Sequence, residues 1–380
     1  MRLSNNLFFL YMSNLVLYRK YRPKTFGEIT GQEHVVRTLS NAISSGRLSH
    51  AYLFAGPRGT GKTTIARIFA KALNCSDLPN VSAKVEPCNK CDACEDINHG
   101  RALDLIEIDA ASNRGIDEIR DLKEGIKFAP VKTKYKVFIV DEVHMLTKEA
   151  FNALLKTLEE PPAHAIFILA TTEAEKLLAT ILSRVQRFDF RKLTVPEIMA
   201  RLGTVASCEN VRADEDALRL IAVNSDGCLR DAESALEQVI ALSGNAVGAK
   251  DVKEILGTID IETAREFVNF LIKNDLAGAF RFLHQLNDGG SDPQEFAKAL
   301  IGYFRKMTVL KVDSSLGKFI GAELTGEQML NLQEQIRDVS VNDLSAILKK
   351  IVAAEQEMKK SPFPFLHLEL AAVDIVEKNK

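Results

Sequence analysis

Short apolar segments alternate with amphipathic stretches along the first half of the chain. Four apolar segments have the length of buried strands and a shorter fifth follows them, at residues 51–56, 103–109, 136–142, 165–172 and 187–190. Between them the spacing of apolar residues predicts helices at 62–74, at about 116–127, and from a capping Thr147 to Pro161. This alternation predicts an α/β domain in which helices cover both faces of a parallel sheet.

Beyond about Lys192 the apolar residues recur only at helical spacing, as at Ala217 and Ile221. A turn-rich segment, residues 243–248, separates a first helical block from a second that begins near Asp251. We therefore expect four parts, which are an N-terminal extension at 1–15, an α/β domain at 16–190, a small helical domain at 191–248 and an all-α domain at 249–380.

Composition and charge exclude several classes of protein. The 380 residues carry 49 basic and 51 acidic side chains, a net charge of −2, so any contact with DNA must be local. No stretch approaches the roughly 18 apolar residues of a membrane-spanning helix, and residues 1–20 lack a small-residue cleavage site. We expect a soluble, cytoplasmic protein with no membrane partner, and Met12 is an alternative start of the natural chain.

Residues 56–63, with the sequence GPRGTGKT, match the phosphate-binding loop motif and lie between a predicted strand and a predicted helix. In such a loop the backbone N–H groups converge on phosphates, Lys62 reaches the terminal ones and the Thr63 hydroxyl ligates magnesium. The motif predicts an ATP site. The residues expected to bind the nucleotide here are Gly56, Pro57, Arg58, Gly59, Thr60, Gly61, Lys62, Thr63 and Thr64.

Polar side chains end two later strands of the predicted sheet. The strand at 136–142 ends in Asp141, which we assign to magnesium, and Glu142, which we assign to polarising the attacking water. The next strand ends at Thr172, where a hydroxyl is placed to sense the γ-phosphate. Threonines are common at strand ends, so spacing alone leaves the role of Thr172 open.

Four cysteines have the spacing of a metal site. Cys88, Cys91 and Cys94 form C-x-x-C-x-x-C and Cys75 precedes them, so that four thiolates are available for a closed, structural zinc site. Reduced cysteines without a metal are the alternative. His99 is a candidate to replace one sulfur, although a location on the surface is the more common one for such a histidine. The remaining pair, Cys208 and Cys228, is expected to be buried as small apolar side chains.

Two arginines are candidates for contact with a phosphate. Arg184 follows Ser183 after an apolar strand and a short helix, and Arg230 lies at the start of a helix. On position alone, a solvated surface location is the more common one for either side chain. The basic segment 19–24 is open to two interpretations, a patch that binds nucleic acid or a solvated face.

Taken together, these motifs resemble those of the bacterial DNA polymerase III gamma/tau family, the AAA+ clamp-loader ATPases. The resemblance extends from about Val16 to the C-terminus. It is carried by the four-cysteine insert and by the segments 18–26, 31–33, 141–146, 154–162 and 182–184. It implies that 16–190 is a P-loop AAA+ nucleotide-binding domain with a zinc-binding insert at 75–94, that 191–248 is a helical lid, and that 249–380 is a helical collar that oligomerises.

The same resemblance implies roles for single residues. Arg22, Pro23 and Thr30 match positions that border the adenine and ribose, Thr172 matches the γ-phosphate sensor, and Arg230 matches the lid arginine that tracks nucleotide state. Arg184 matches an arginine finger that acts in trans on the ATP of the adjacent subunit. One position departs from the family pattern, because Val185 stands where the family usually has cysteine.

The function implied is that of an ATP-driven motor subunit, which opens the sliding clamp and loads it on primed DNA. Implied partners are further copies of the chain, the delta and delta-prime subunits, the beta clamp and primed DNA, with ATP, Mg2+ and structural Zn2+ as cofactors. The chain stops without a tau-type tail, so we expect either a short, gamma-like form or a truncated longer one, and we do not expect this chain to bind the polymerase core.

The chain is thus expected to be an ATPase that works within a DNA-directed DNA polymerase and does not itself polymerise. One alternative is another AAA+ motor that remodels DNA by branch migration or helicase action, which would normally add a winged-helix domain. The other alternative is a scaffold subunit of the loader that does not hydrolyse ATP.

Overall fold

The computed structural model describes residues 15–78, 85–113, 124–256, 261–317, 324, 326–337 and 339–377. The expected N-terminal extension therefore lies outside the described residues apart from Leu15, and so does most of the predicted helix at 116–127. The described residues form two compact units, one of residues up to Glu209 with 225–237, and one of 210–224 with the residues from Gln238 onward.

The first unit is built on a five-stranded sheet in which every pairing is parallel. Its strands are β1 (Ala51–Ala55), β2 (Leu105–Asp109), β3 (Lys136–Asp141), β4 (Ala165–Thr171) and β5 (Gln186–Asp189), in the spatial order β2-β3-β4-β1-β5. All five predicted strands are confirmed. The strand ends differ from the predicted ones by one or two residues, and β4 ends at Thr171, so that Thr172 lies one residue beyond it.

Alternate residues of the central strands face opposite sides of the sheet, and both sides are buried. Tyr52 and Phe54 pack in one core with Phe69, while Leu53 packs in a second core with Leu154. Because every residue of β1 is buried, the strand appears in the sequence as a continuous apolar run. The predicted arrangement of helices on both faces is confirmed.

The two predicted helices that lie within the described residues, at 62–74 and after Thr147, begin and end near the predicted residues. Thr147 accepts a hydrogen bond from the Ala150 amide at 3.3 Å and so caps its helix as predicted. The helices are α1 (Leu17–Lys20), α2 (Glu33–Ser45), α3 (Lys62–Asn74), α4 (Asp92–Asn98), α5 (Lys148–Glu159), α6 (Ala179–Leu182), α7 (Val195–Cys208) and the first part of α9 (Leu229–Ser243).

The second unit is almost entirely helical, as the sequence predicts, around a core that includes Phe267, Phe296 and Phe304. Its helices are α8 (Glu215–Asn224), the end of α9, α10 (Ala249–Leu256), α11 (Ile261–Ile272), α12 (Leu276–Asp288), α13 (Pro293–Val312), α14 (Gly326–Gln335), α15 (Val341–Met358) and α16 (Pro364–Glu377). None of the helices in the described ranges combines the length and the apolar character needed to cross a bilayer.

The prediction of no further strand after Lys192 is wrong at one place. β6 (Arg212–Ala213) and β7 (Ala246–Val247) pair in parallel within the second unit. A strand of two residues contains no repeat of the apolar pattern, so periodicity carries no signal for it.

Candidate nucleotide-binding site

The phosphate-binding loop joins the end of β1 to the start of α3 in the first unit. A Cβ atom at Gly56 would lie 2.3 Å from the Phe190 carbonyl oxygen, and one at Gly59 would lie 2.0 Å from Cys228 Sγ. Both residues also have φ in the left-handed region, so glycine is required at each. Gly61, at the N-terminus of α3, has no such neighbour within 4 Å and faces open space.

Lys62 is buried and its ammonium group is turned into the loop. Its Nζ donates to the carbonyl oxygens of Gly56 at 2.7 Å and Pro57 at 2.8 Å. Burial lowers the pKa of Lys62, and the nearby carboxylates of Glu142 and Asp141 act in the opposite direction. A cation held in a glycine-rich loop at a helix N-terminus fits the binding of a polyphosphate.

Two oxygen ligands suited to magnesium lie in direct contact. The Thr63 hydroxyl donates to Asp141 Oδ2 at 2.6 Å, although 78 positions separate the two residues. A hydroxyl and a carboxylate beside a phosphate loop are ligands that Mg2+ accepts, together with phosphate oxygens and water. The residues present therefore fit a bound magnesium nucleotide.

Glu142 adopts a left-handed backbone conformation, with φ of 47°, just after β3. Its Oε2 accepts hydrogen bonds from the hydroxyl of Thr172 at 2.9 Å and from the amide of Thr172 at 3.2 Å. His144, which sequence reasoning missed, lies within 3.4 Å of the same oxygen and 2.9 Å from Thr171 Oγ1. The two strand ends are thus joined through the side chain of Glu142.

Lys62, Thr63, Asp141 and Glu142 line a cleft of about 560 Å³. The structure brings most of the predicted residues to it, namely Arg22, Pro23, Thr30, the loop residues 58–64, Asp141, Glu142 and Arg230. The predicted residue Thr172 is not among the lining residues and contacts the cleft through Glu142. Gly56 and Pro57 lie behind the loop and contact Lys62. The side chains of Ile29, Leu193 and Leu229 add an apolar wall, which sequence reasoning missed because the three come from separate segments.

Arg22 and Arg230 reach the cleft from segments 208 positions apart in the sequence. Arg22 Nε donates to Thr64 Oγ1 at 3.3 Å, and burial, together with the neighbouring Arg67, lowers the pKa of Arg22 to about 10. The guanidinium carbon of Arg230 lies 4.6 Å from the centre of the Tyr18 ring, and Nη2 donates to the Tyr18 hydroxyl at 3.4 Å. The hydrogen bond from Arg230 is the main cause that lowers the pKa of Tyr18.

A buried ion pair supports this side of the cleft. Arg201 Nε donates to Glu233 Oε1 at 3.2 Å, and the same guanidinium donates to the carbonyl oxygen of Tyr21. Burial raises the pKa of Glu233 to about 7, and the contact with Arg201 opposes that rise. Glu233 also lines the cleft, and neither residue of the pair stands in a recognisable motif.

Arg184 lies elsewhere in the unit and does not line the cleft. Its guanidinium donates to Glu159 Oε1 at 2.7 Å and to the Thr180 carbonyl oxygen at 2.6 Å. A separate cavity of about 600 Å³ surrounds it, and Val185 is one of the residues that line this cavity. Sequence reasoning identified Arg184 but gave no sign of its contact with Glu159.

The four predicted cysteines come together near the end of α3. The sulfurs of Cys75, Cys88, Cys91 and Cys94 all lie within 4.8 Å of one another. Backbone amides point at this group, since the Cys88 amide donates to Cys75 Sγ at 3.4 Å and the Cys91 amide donates to Cys88 Sγ at 3.3 Å. Four converging thiols with such amide donors fit a tetrahedral zinc ion.

The other predictions about cysteine and histidine have mixed outcomes. His99 is outside the cluster, and its Nδ1 contacts the Glu95 carbonyl oxygen at 2.7 Å. Cys228 is buried against the phosphate loop, as expected, but the expectation for Cys208 is wrong because its side chain is exposed. Cys208 is the last residue of α7, where that helix meets solvent.

Lys71 connects the cysteine cluster to the helix that follows the phosphate loop. Its buried ammonium donates to the carbonyl oxygen of Lys24 and to the side-chain oxygens of Asn89 and Asn98, at 2.6 to 2.9 Å. Burial lowers the pKa of Lys71 to about 8. Since Asn89 lies between Cys88 and Cys91, the hydrogen bonds of Lys71 fix the cysteine loop to α3.

Comparison with known proteins identifies the family. Residues 31–194 match the model for the DNA polymerase III delta subunit, 197–245 match the clamp loader ATPase lid domain, and 247–378 match domain III of subunits gamma and tau. The chain is 40% identical over 300 residues to DNA polymerase III subunit gamma of Buchnera aphidicola, covering 79% of this chain and 82% of that protein. The chain belongs to the DNA polymerase III gamma/tau family.

Longer members of the gamma/tau family are similar over most of the chain. It is 44% identical over 366 residues to subunit tau of Bacillus subtilis and 37% identical over 351 residues to subunit tau of Escherichia coli. These matches cover 96% and 92% of the chain, but only 64% and 53% of the two relatives. The chain therefore spans between half and two thirds of their length.

Solved structures resemble this gamma/tau family member more distantly. The Thermotoga maritima RuvB Holliday junction branch migration motor is 22% identical, with a TM-score of 0.46, and the match covers 66% of this chain and 79% of that one. The Bacillus subtilis DNA clamp loader delta protein is 16% identical, with a TM-score of 0.39, over 90% of this chain and 99% of that one. At these scores neither similarity bears on function.

Proposed function

We propose that this chain is the ATP-driven motor subunit of the DNA polymerase III clamp loader, which opens the sliding clamp in the cytoplasm and loads it on primed DNA. The observation that carries the proposal is the complete set of phosphate, metal and water-activating side chains around one cleft, in a chain of the gamma/tau family. The proposed activity is hydrolysis of ATP, and this chain does not polymerise DNA.

Binding of ATP begins with the loop between β1 and α3. The backbone N–H groups at the open N-terminus of α3 bind the phosphates, and Lys62 turns from the loop carbonyls toward the terminal phosphates. Ile29, Leu193 and Leu229 provide an apolar surface for the adenine, and Arg22, Pro23 and Thr30 border the base and ribose.

Hydrolysis requires a water molecule that is polarised beside the γ-phosphate. Glu142 accepts a proton from that water at its side-chain carboxylate as the water oxygen bonds to the γ-phosphorus and ADP leaves. Thr63 and Asp141 would hold magnesium, which would neutralise phosphate charge. Thr172 donates its hydroxyl to Glu142 and, with nucleotide present, redirects it toward the γ-phosphate. The His144 ring, which contacts Thr171 Oγ1, lies beside the Glu142 carboxylate and helps to orient it.

Arg184 acts on a different ATP from the one that its own chain binds. It lies outside the cleft of its own chain, and its guanidinium is presented at the surface by contacts with Glu159 and Thr180. An arginine supplied in trans stabilises the negative charge of the transition state for phosphoryl transfer. In a ring of subunits, each cleft is then completed by its neighbour.

The assembly and its parts are also proposals. Residues 16–190 form the AAA+ nucleotide-binding domain, 191–248 the lid and 249–380 the collar, and the matches of 197–245 and 247–378 to lid and domain III models support this division.

Proposed partners are further copies of the chain, the delta and delta-prime subunits, the beta clamp and primed DNA. The cysteine cluster at 75–94 would hold a structural zinc ion. Four sulfur ligands leave the zinc no open coordination position, so it would take no part in catalysis.

Neither alternative function has an observation that favours it. A branch-migration motor would normally add a winged-helix domain, whereas the described residues from 261 onward are helical. A scaffold subunit that does not hydrolyse ATP has no need of Lys62, Thr63, Asp141 and Glu142, which are all present in one cleft.

The proposal is tested by ATP turnover of the chain mixed with the other loader subunits, with and without the sliding clamp and primed DNA. We expect turnover to rise strongly only when both are present. As a control, Lys62→Ala should abolish nucleotide binding. Turnover that ignores the clamp and responds instead to branched or forked DNA would overturn the proposal in favour of a remodelling motor.

A further inference from the structure

Helix α9 carries three charged residues that hold the short segment Leu17–Arg22 of the first unit, two by direct contact and one through Arg201. Arg230, Glu233 and Glu237 are spaced by three and four positions, so they lie on one face of the helix. Each acts at a different point of the segment, so α9 holds in place a segment whose residues Tyr18 and Arg22 line the cleft.

The three contacts are of different kinds. Arg230 lies over the Tyr18 ring and donates to its hydroxyl. Glu233 holds Arg201, whose guanidinium donates to the carbonyl oxygen of Tyr21. Glu237 Oε2 accepts a hydrogen bond at 3.1 Å from the Leu17 amide, which as the first amide of α1 has no partner within that helix.

The two outer contacts fix the backbone on either side of Tyr18. The ring is therefore presented to Arg230 from a segment whose ends are anchored, and Tyr18 and Arg230 both line the cleft. A free arginine side chain samples many rotamers, and a ring face with a hydroxyl acceptor at its edge restricts the guanidinium to a narrow region.

We propose that Tyr18 is a positioning residue that holds the Arg230 guanidinium at the cleft, ready to contact a nucleotide phosphate. The inference rests on the proposed function, in which Arg230 distinguishes the nucleotide states. Tyr18 acts through Arg230, so its loss weakens the discrimination between a nucleoside triphosphate and a diphosphate more than it weakens nucleotide binding as a whole.

The test is a double-mutant cycle on the full chain, in which equilibrium affinities for ATPγS and ADP are measured with magnesium. The variants are Tyr18→Ala, Tyr18→Leu, Tyr18→Phe, Arg230→Ala and the double variant Tyr18→Ala with Arg230→Ala. We expect Tyr18→Ala and Tyr18→Leu to lower the preference for ATPγS over ADP about threefold to tenfold, the range of one cation–π contact. Tyr18→Phe keeps the ring face and should retain most of the preference.

Two results together support the inference. Tyr18→Ala should have no further effect on the preference in the Arg230→Ala background, because the two residues act as one unit. Tyr21→Phe, which removes a phenolic hydroxyl three positions away and is the control for Tyr18→Phe, should leave the preference unchanged. Tyr18→Leu retains an apolar, helix-forming side chain, so the comparison with Tyr18→Phe decides the matter if Tyr18→Ala does not fold.

Other results would overturn it. Equal weakening of ATPγS and ADP binding by Tyr18→Leu would indicate contact with the base or a purely structural role. Multiplicative effects of Tyr18→Ala and Arg230→Ala would show that the two act independently, and would leave the role of Arg230 intact. An unchanged preference in Arg230→Ala itself would reject that part of the proposed function, and the inference with it.

The chain contains no tryptophan, so Tyr18→Trp adds a single fluorophore at this position. Tryptophan has the ring face that binds cations best among the aromatic side chains, so this variant should keep the nucleotide preference. Its emission should change on binding of ATPγS and change less in the Arg230→Ala background. An emission that responds equally in both backgrounds would contradict the contact with Arg230.

Discussion

The hydroxyl of Thr172 donates a hydrogen bond to Glu142 Oε2 at 2.9 Å, so the proposed γ-phosphate sensor and the proposed water-polarising carboxylate contact each other directly. The amide of Thr172 donates to the same oxygen at 3.2 Å. Because the hydroxyl has one proton to donate, it cannot serve this carboxylate and a phosphate oxygen together. In the proposed role of Thr172 as γ-phosphate sensor, nucleotide binding would redirect this hydroxyl and free Glu142 to act on water.

The first prediction follows from this contact. Glu142→Gln should lower the kcat for ATP hydrolysis by roughly 10² to 10⁴, the contribution of a positioned general base, while ATP affinity changes little. Thr172→Val should lower kcat by a smaller factor, since the carboxylate remains but its orientation and the sensor are lost, and Thr172→Ser is the control that keeps the hydroxyl. Steady-state kinetics check both, and an unaltered kcat in the Glu142→Gln variant would reject the assignment.

The second prediction concerns the arginine that we place in a neighbouring cleft. Arg184→Ala should leave ATP affinity intact and reduce the clamp- and DNA-stimulated turnover of the assembled loader by roughly 10³ or more, the scale of an arginine finger. Arg187→Ala is the matched control, because Arg187 lies close by in the sequence, is exposed and pairs with Asp189. Weaker ATP binding by Arg184→Ala with normal turnover would contradict the role in trans.

The third prediction concerns the cysteine cluster. Elemental analysis of protein purified without chelators should find about one zinc ion per chain, as expected for four sulfur ligands. Cys91→Ser should lose most of the zinc and lower the melting temperature, because metal binding stabilises the folded loop. Cys208→Ser, which changes an exposed cysteine outside the cluster, should do neither. Zinc well below one per chain in the unaltered protein would overturn the site.

The fourth prediction follows from the raised pKa of Glu233. Burial raises it to about 7 from an ordinary value of about 4.3, so between these pH values the unfolded chain releases a proton that the folded chain keeps. Stability should then fall as pH rises from about 4.3 to about 7 and level off above that, by an amount on the order of 4 kcal/mol.

Denaturant unfolding at several pH values tests this dependence. Glutamine at position 233 cannot ionise, so Glu233→Gln does not lose stability through this group as pH rises. The unfolding free energy of the variant minus that of the unaltered protein should therefore increase from pH 5 to pH 8. Leaving Arg201 without a carboxylate adds a cost that does not depend on pH and does not alter this increase. If the two stability curves run parallel across this range, the pKa of Glu233 is the same in the folded and the unfolded chain, which would contradict the prediction.

The strands of the sheet were predictable because each one comes from a local pattern. Buried parallel strands such as β1 and β4 are continuous apolar runs, and Thr147 marks the start of α5 by a cap that needs only adjacent residues. The paired strands β6 and β7 were missed, because each has two residues and their pairing joins segments that are more than thirty positions apart.

The site likewise contains residues that local patterns predicted and contacts that they did not. The phosphate loop is one contiguous motif, so its residues were all identified, and the cysteine cluster needed only Cys75 in addition to a local triplet. The pairs Tyr18 with Arg230 and Glu233 with Arg201 join residues 212 and 32 positions apart. Such contacts depend on how the helices pack, and no spacing in the sequence records them.

The transfer of a clamp to DNA tests the proposed motor most directly. Labelled sliding clamp is incubated with ATP, the other loader subunits, this chain and primed circular DNA, and clamp that stays on the circle is then measured by gel filtration. We predict ATP-dependent retention that is lost with Lys62→Ala and lost again when the circle is linearised, because a loaded clamp slides off a free end. Equal retention with Lys62→Ala, or without this chain, would contradict a role for ATP hydrolysis here in loading the clamp.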